Sequence, residues 1–190
     1  MLQHALKEWA VVCEALALGQ QAILLRKGGI AESAGEFVVE QTRFWLYPTY
    51  VHQQHDGIAD DAKPLLAVVE ANKPLTGIVR LQLWAEVTGI YQIRDELPAL
   101  LLSHLHCLSE DTVRKRYNYR EPGINLLVVR VHRSQHVHEL TETPAYAGCK
   151  SWVQLDRALP TEPSTPVMSD DDFRIVNRQL GSLLNPTAYA

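Results

Sequence analysis

Two segments with the pattern of long strands constrain the fold of this chain more than any other feature. In residues 78–94, Val79, Leu81 and Leu83 alternate with polar residues, which is the two-residue period of a half-buried strand. Gly89 interrupts the alternation and predicts a bulge or bend at that point. This segment is therefore the most clearly defined strand of the chain.

The second segment, GINLLVVRVHR, follows a Pro122-Gly123 turn. Its unbroken apolar start is typical of a strand that is buried on both faces, so it predicts a central position in a sheet. Between the two strands, LPALLLSHLHCLS predicts a helix with Pro98 in its first turn. SEDTVRKRYNYR predicts a further helix, because Ser109 is a good N-cap and two acidic residues follow it.

The N-terminal part of the chain predicts one helix and then strands. Residues 4–18 place apolar side chains at helical spacing, which predicts an amphipathic helix that ends at Gly19. QQAILLRKGG predicts a strand that ends in a turn at Gly28-Gly29, and EFVVEQTRFWLYPTY predicts one or two more strands. Pro48 bars a central strand at its position unless the strand is bulged, so we expect it at the edge or exit of the sheet.

The remaining segments complete an α+β pattern. Apolar residues between Pro64 and Pro74 predict a short helix, and GCKSWVQL predicts a last short strand. Because strands return between helices without the steady alternation of a doubly wound fold, we expect the α+β class, as a small mixed or antiparallel β-barrel or curved sheet flanked by helices. We assign residues 1–159 to a single domain, and residues 160–190 to an acidic linker and a peripheral C-terminal helix.

Composition limits the function without selecting one. At 190 residues, of which 46% are hydrophobic, the chain is long enough for one well-buried core. A net charge of -4 demands neither nucleic acid nor a membrane as a partner, and no apolar run approaches the roughly 20 residues that cross a bilayer. The N-terminus lacks the pattern of a signal peptide, so we expect a cytoplasmic location. The widely spaced Cys13, Cys107 and Cys149 predict buried thiols rather than disulfides or a metal site.

The most distinctive local feature is a basic segment. Between residues 114 and 133 the chain has six basic residues and a single acid, Glu121. Guanidinium groups pair with phosphates and exposed tyrosines stack on unpaired bases, so the segment favours DNA or RNA as a partner. The alternative is a solvated helix face whose arginines pair with carboxylates while its tyrosines pack inward. The candidate nucleic-acid-binding residues are Arg26, Lys27, Arg114, Lys115, Arg116, Tyr117, Tyr119 and Arg120.

Catalytic and metal-binding patterns are weak. There is no Gly-rich phosphate loop and no Gly-x-Ser-x-Gly elbow, and the nearest approach, residues 26–29, is either an anion nest or a plain β-turn. A metal-dependent hydrolase would draw ligands from Glu36, Glu40, His52 and His55, whose spacings do not form a recognised metal motif. We therefore assign no catalytic residue, no metal site and no cofactor.

Several blocks of the chain resemble a known family. Similarity to the bacterial family of unknown function numbered 1802, over residues 5–159, is carried by ALKEWAVVCEAL, ILLRKGGI, RFWLYPTYVHQQ, RYNYREPGINLLVVRVHR and YAGCKSWVQL. The resemblance implies an uncharacterised protein, and occasional fusion of family members to an endonuclease-like domain implies a link to restriction–modification. A helix followed by Leu-Leu-Arg-Lys-Gly, with a late Val-Val-Arg-Val strand, also resembles the small barrels of the PUA and ASCH group, which implies binding of RNA or modified bases.

Three functions follow as hypotheses. The first is a nucleic-acid-binding module, the second is a metal-dependent hydrolase or nuclease, and the third is a non-catalytic protein-interaction subunit. The relative positions of three segments in the structure distinguish a binding site from a set of unrelated surface charges. Convergence of Arg26, residues 48–55 and residues 114–120 on one cleft would favour a site, whereas their dispersal would favour salt bridges.

Overall fold

The computed structural model describes residues 1–27 and 41–184, and within these ranges seven strands form one curved sheet. The strands follow the order β2-β5-β4-β3-β1-β6, with β7 beside β5. Neighbouring strands are antiparallel except for β1 and β3, which are parallel. The strands are β1 (Leu2–Trp9), β2 (Ile23–Arg26), β3 (Arg43–Thr49), β4 (Ile78–Ile93), β5 (Ile124–Thr141), β6 (Trp152–Leu159) and β7 (Ser164–Pro166).

Helices connect and cover these strands, which confirms the predicted α+β class. They are α1 (Ala10–Ala17), α2 (Lys63–Ala71), α3 (Glu96–Leu101), α4 (Glu110–Tyr117) and α5 (Asp170–Leu184). The prediction of Ser109 as an N-cap is confirmed, because its hydroxyl accepts a hydrogen bond from the backbone N–H of Thr112 at 3.3 Å. Within the described ranges, no helix combines the length and the apolar character needed to cross a membrane.

The two strongest strand predictions are confirmed. β4 and β5 pair along most of their lengths, and the register of the pair shifts between Val87 and Gly89, where the sequence predicts a bulge. β5 lies between β2 and β4, so its apolar start is buried inside the sheet as predicted.

Pro48 lies at the point where β3 leaves the centre of the sheet. β3 pairs with β4 only over Arg43–Trp45, and from Leu46 onward it pairs with β1 alone. The missing N–H of Pro48 therefore costs no bond on the β4 side, although the strand continues through Pro48 to Thr49.

The predicted helix over residues 4–18 is wrong in its first half. Residues Leu2–Trp9 form β1, and the helix begins only at Ala10. Both Ala5 and Leu6 are fully buried although they point to opposite faces, because the sheet is covered on both sides. Such a strand has no clear alternation, and its apolar residues join those of α1 into an apparent helical stripe. The predicted turn at Gly28-Gly29 and the strand containing Glu36 and Glu40 lie outside the described residues.

The core consists of two clusters on opposite faces of the sheet. Alternate residues of β3 divide between them: Phe44 and Leu46 pack into the larger cluster beneath the helices, whereas Trp45 and Tyr47 pack into the smaller one. The residues after Leu159 also contribute to this core. β7 pairs with β5, and Leu180 of α5 is fully buried in the larger cluster.

Candidate ligand-binding cleft

The parallel pairing of β1 and β3 creates a large cleft. Because the strands run in the same direction, their carboxyl ends meet at one edge, with Glu8 opposite Pro48 and Trp9 opposite Thr49. The loop before β4 and the loop before β6 close the sides. The result, which we call the central cleft, has a volume of about 630 Å³ and is lined by residues from Lys7–Trp9, Tyr47–His52, Lys73–Val79 and Tyr146–Lys150, with Arg26, Arg116 and Glu142.

A buried ion network forms the floor of the central cleft. The Glu8 carboxylate, which is almost fully buried, lies 2.8 Å from Nη1 of Arg26 and 3.6 Å from Nη2 of Arg116. The backbone N–H of Trp9 donates a further hydrogen bond to Glu8 at 2.9 Å. Arg116 also donates to the carbonyl of Leu25 at 2.8 Å and lies over the Trp9 ring. Arg26 donates to the carbonyl of Lys7 at 3.0 Å, so each guanidinium is held in place by at least two groups.

The network keeps Glu8 ionised. Burial alone would raise the pKa of this carboxyl group, but the charges of Arg26 and Arg116 outweigh burial and hold the pKa below its ordinary value. Burial lowers the pKa of Arg116 in turn, but an arginine starts from so high a pKa that it stays charged. Within residues 1–27 and 41–184, the floor thus has two cations, Arg26 and Arg116, around the one anion Glu8.

Three lysines add positive charge to the walls. Lys7 donates to the carbonyls of Tyr146 and Gly148, Lys150 donates to the carbonyl of Ala145, and the Lys73 ammonium lies 5.1 Å from the centre of the Tyr50 ring. None of the three forms a salt bridge with a carboxylate anywhere in residues 1–27 and 41–184.

The lysines also influence one another. Burial, and after it the charge of Lys150, lowers the pKa of Lys7 below its ordinary value. Two like charges that converge in a partly buried position disfavour each other, and a negatively charged ligand would relieve the repulsion.

Aromatic side chains occupy the same walls. Tyr50 is half-buried beside Lys73, and the Trp9 ring borders Arg116. The Tyr47 hydroxyl donates a 2.6 Å hydrogen bond to Glu142, and burial, followed by this bond, raises the pKa of Tyr47. The central cleft thus combines cations with ring faces at one opening.

The structure brings together two of the predicted nucleic-acid-binding residues, Arg26 and Arg116. Both reach the central cleft together with residues 47–52, so three separate segments converge there. Lys27 lies outside the cleft, and its ammonium donates to the carbonyls of Tyr117, Glu121 and Gly123 just after α4. Its contacts tie β2 to the end of that helix.

The other predicted residues lie elsewhere on α4. Arg114 pairs with Glu96 and Glu110 at 2.7 Å each, and Lys115 pairs with Asp111 at 3.3 Å, as in a solvated helix face. Tyr117 is buried, and its hydroxyl donates to the carbonyl of Arg94, which leaves no free ring face for stacking.

Tyr119 and Arg120 are exposed beyond the end of α4. The Arg120 guanidinium lies 5.4 Å from the centre of the Tyr119 ring. Arg120 has a φ of 62°, in the left-handed region that a non-glycine residue rarely adopts.

The residues named for a metal-dependent hydrolase do not form a metal site in the described ranges. His52 lines the central cleft, whereas His55 lies 3.8 Å from Asp56 on the surface, and Glu36 and Glu40 lie outside the described residues. No group of three His, Cys, Asp or Glu side chains in residues 1–27 and 41–184 is arranged to hold a metal ion.

Two of the three cysteines are buried as predicted. Burial raises the pKa of the Cys13 thiol, and it raises that of Cys107 to about 12, so neither is a reactive thiolate. Cys149 is instead exposed and lines the central cleft beside Lys150.

Sequence reasoning missed Lys7, Glu8, Tyr50, Lys73 and Lys150. These residues are far apart in the sequence and form no local motif. A correct assignment of residues 2–9 as a strand parallel to β3 would have placed Glu8 and Pro48 at one edge. The lysines come from loops whose course depends on the complete fold.

Comparison with known proteins gives one family match. The family model described as a domain of unknown function, DUF1802, matches residues 5–179, which confirms the resemblance read from the residues but extends it beyond residue 159. Similar solved structures include a mutant ASCH protein from Zymomonas mobilis, 11% identical over 93% of this chain and 94% of that chain, with a TM-score of 0.41. A second ASCH structure from that organism is 12% identical over 92% and 93% of the two chains, with a TM-score of 0.40. No curated protein matches the chain.

Proposed function

We propose that this chain, which belongs to the DUF1802 family of domains of unknown function, binds single-stranded nucleic acid in its central cleft. The observation that carries the proposal is the set of cleft ammonium groups of Lys7, Lys73 and Lys150, which have no carboxylate partner in the described residues. Cations that face an opening without a counter-charge suit phosphate groups.

Aromatic groups beside the lysines support a single strand rather than a duplex. A base can stack on a tyrosine or tryptophan ring only when it is unpaired, and such stacking combined with a basic groove is typical of proteins that bind single strands. Tyr50 and Trp9 provide ring surfaces next to Lys73 and Arg116. A cleft of about 630 Å³ is also within the range of sites for small organic groups such as a nucleotide.

The buried network has a supporting role in this proposal. Arg26 and Arg116 already share Glu8, so their charges are partly compensated and they position the floor. We therefore assign the phosphate contacts to Lys7, Lys73 and Lys150, and the stacking to Tyr50. Arg114 and Lys115, which pair with acids on the outer face of α4, serve as the matched control.

The test is fluorescence anisotropy with short labelled single-stranded RNA and DNA oligonucleotides at low salt. We expect the double variant Lys73→Gln/Lys150→Gln to bind about tenfold more weakly or worse, and the slope of log affinity against log salt to fall by about 1.4 for two lost phosphate contacts. The variant Arg114→Gln/Lys115→Gln removes the same charge from the outer face and should retain the affinity. Tyr50→Leu should weaken binding by about tenfold through lost stacking.

Two outcomes would reject the proposal. The first is the absence of binding by the wild-type protein to any oligonucleotide at low salt. The second is an equal loss of affinity in both double variants, since that would reflect net charge rather than the cleft. Comparison of RNA with DNA of the same sequence then separates the two kinds of nucleic acid.

Docking of a protein segment is the second candidate. It is favoured by Val51 and Leu75, which are 81% and 83% exposed at the rim of the central cleft. Exposed apolar residues at a rim are typical of protein contacts. Replacing Val51 and Leu75 with serine should leave oligonucleotide binding unchanged if the first proposal holds.

A further inference from the structure

A second, smaller pocket lies beside the central cleft, between α1, α2 and strands β4 and β5. This side pocket has a volume of about 280 Å³, and most of its wall is apolar. It shares residues with the central cleft but contains charged groups of its own. The apolar wall includes Ala10, Ala17, Leu46, Val69 and Leu83.

Arg133 places a cation in this wall. Its Nη2 donates to the carbonyl of Ala17 at 2.8 Å, which fixes the half-buried guanidinium at the end of α1, and its Nη1 is 3.5 Å from Oε1 of Gln82. No carboxylate of the described residues forms a salt bridge with Arg133. Several of its five N–H donors are therefore available to a ligand.

Glu14 places an anion in the same wall. The residue is half-buried on α1, and within residues 1–27 and 41–184 its carboxylate forms neither a hydrogen bond nor a salt bridge. Glu14 and Arg133 do not pair with each other. Arg80, which also lines the side pocket, differs because it pairs with Glu139 at 2.7 Å.

We propose that the side pocket binds a small zwitterion with an apolar body, a compound of the amino-acid class. The ligand carboxylate pairs with Arg133, its ammonium group pairs with Glu14, and its apolar body packs against Leu46, Val69 and Leu83. Two opposite charges that are partly removed from water, each without a counter-charge, are unfavourable, and one ligand with both charges satisfies them together. A ligand without charged groups would leave both Arg133 and Glu14 without a counter-charge. A ligand with only a carboxylate would be repelled by Glu14. This proposal does not depend on nucleic-acid binding by the central cleft.

Isothermal titration calorimetry with three probes tests the charge requirement. The probes are norleucine, hexanoate and hexylamine, which carry both charges, only the carboxylate and only the ammonium group on similar apolar chains. We expect norleucine to bind at least about tenfold more tightly than either of the other two. Equal or tighter binding of hexanoate or hexylamine, or no heat from norleucine at millimolar concentration, would overturn the proposal.

Two variants then place the binding in the side pocket. Arg133→Gln should abolish norleucine binding, whereas Arg80→Gln, which alters a paired arginine in the same wall, should retain it. If Arg133→Gln does not fold, Val68→Phe serves instead, because Val68 is 46% exposed at the pocket and a larger ring narrows the pocket from outside. Unchanged norleucine affinity in the folded variant would overturn the proposal.

Discussion

Glu8 of β1 and Arg26 of β2 form a 2.8 Å salt bridge although three strands, β5, β4 and β3, lie between β1 and β2 in the sheet. With about 4.8 Å between neighbouring strands, β1 and β2 would lie about 19 Å apart in a flat sheet. The ion pair therefore requires the sheet to curve until β1 and the end of β2 approach. The same curvature brings Glu8 and Arg26 together in the floor of the central cleft, so the candidate site depends on the shape of the sheet.

Replacement of Glu8 by glutamine tests this dependence. The variant keeps an acceptor for the Trp9 N–H but removes the buried negative charge that Arg26 and Arg116 share. Removing one partner of a buried ion pair typically costs about 3 kcal/mol or more, so we expect the free energy of unfolding to fall by about that amount in urea denaturation. Glu139→Gln breaks an exposed pair and should cost less than about 1 kcal/mol. Similar losses in both variants would contradict this account.

The same carboxylate also predicts a dependence on acid. The pKa of Glu8 in the folded protein lies below the ordinary value of 4.5, so the unfolded state binds its proton first as pH falls. The stability from the network is therefore present above about pH 4.5 and is lost as pH falls through the folded pKa. As pH falls below 5, the free energy of unfolding should therefore decrease less in the Glu8→Gln variant than in the wild type.

Local patterns were sufficient for elements that have their own signals. The bulge at Gly89, the N-cap at Ser109 and the central position of β5 were all predicted correctly, because each depends on a few neighbouring residues. β1 was not predicted correctly, because a strand that is covered on both faces lacks the alternation of apolar and polar residues.

The candidate site was only partly predictable from the sequence, because it too depends on contacts between distant segments. Arg116 looked like one member of a charge run with Arg114, but α4 points the two side chains in different directions, one to Glu8 and the other to Glu96. Which arginine meets a buried acid depends on how α4 packs against β1 and β2. That packing brings together residues more than 100 positions apart in the sequence.

His106 predicts a second pH effect. Burial, followed by the charge of Arg116, lowers the pKa of this histidine from 6.5 to about 4, and its Nδ1 accepts a hydrogen bond from the N–H of Leu108 at 3.2 Å. The unfolded state therefore binds more protons between about pH 4 and pH 6.5, so stability falls as pH falls across this window, by up to about 3 kcal/mol.

The variant His106→Asn isolates that contribution. Asparagine keeps an acceptor for Leu108 but cannot titrate, so the slope of unfolding free energy against pH should decrease between pH 4 and 6.5. Urea denaturation at several pH values measures the slope. The exposed His104→Asn is the control, and an identical slope in wild type and His106→Asn would show that another group is responsible.

Leu180 tests whether the C-terminal segment is part of the folding unit. The division of the chain at residue 159 is a sequence prediction, whereas Leu180 is fully buried in the main core. Leu180→Ala should therefore lower the free energy of unfolding by about 2–5 kcal/mol, in a single transition. Ile175→Ala changes a residue that is 45% exposed on the same helix and should cost less. Loss of α5 in a separate transition, without effect on the rest of the chain, would instead support the division.

The pKa of Lys7 provides a measurable test of the charge in the central cleft. Its ammonium group should lose its proton below the ordinary pKa of 10.5, because it is partly buried and lies near the charge of Lys150. Side-chain NMR of a protein with labelled lysines can follow this pKa directly.

Lys150→Gln should raise the pKa of Lys7, since it removes the neighbouring cation but not the burial, whereas Lys115→Gln on the outer face should leave the pKa of Lys7 unchanged. A bound single-stranded oligonucleotide should raise it as well, because the phosphate charge stabilises the protonated amine. If the oligonucleotide binds and the pKa of Lys7 does not move, the phosphates lie outside the central cleft.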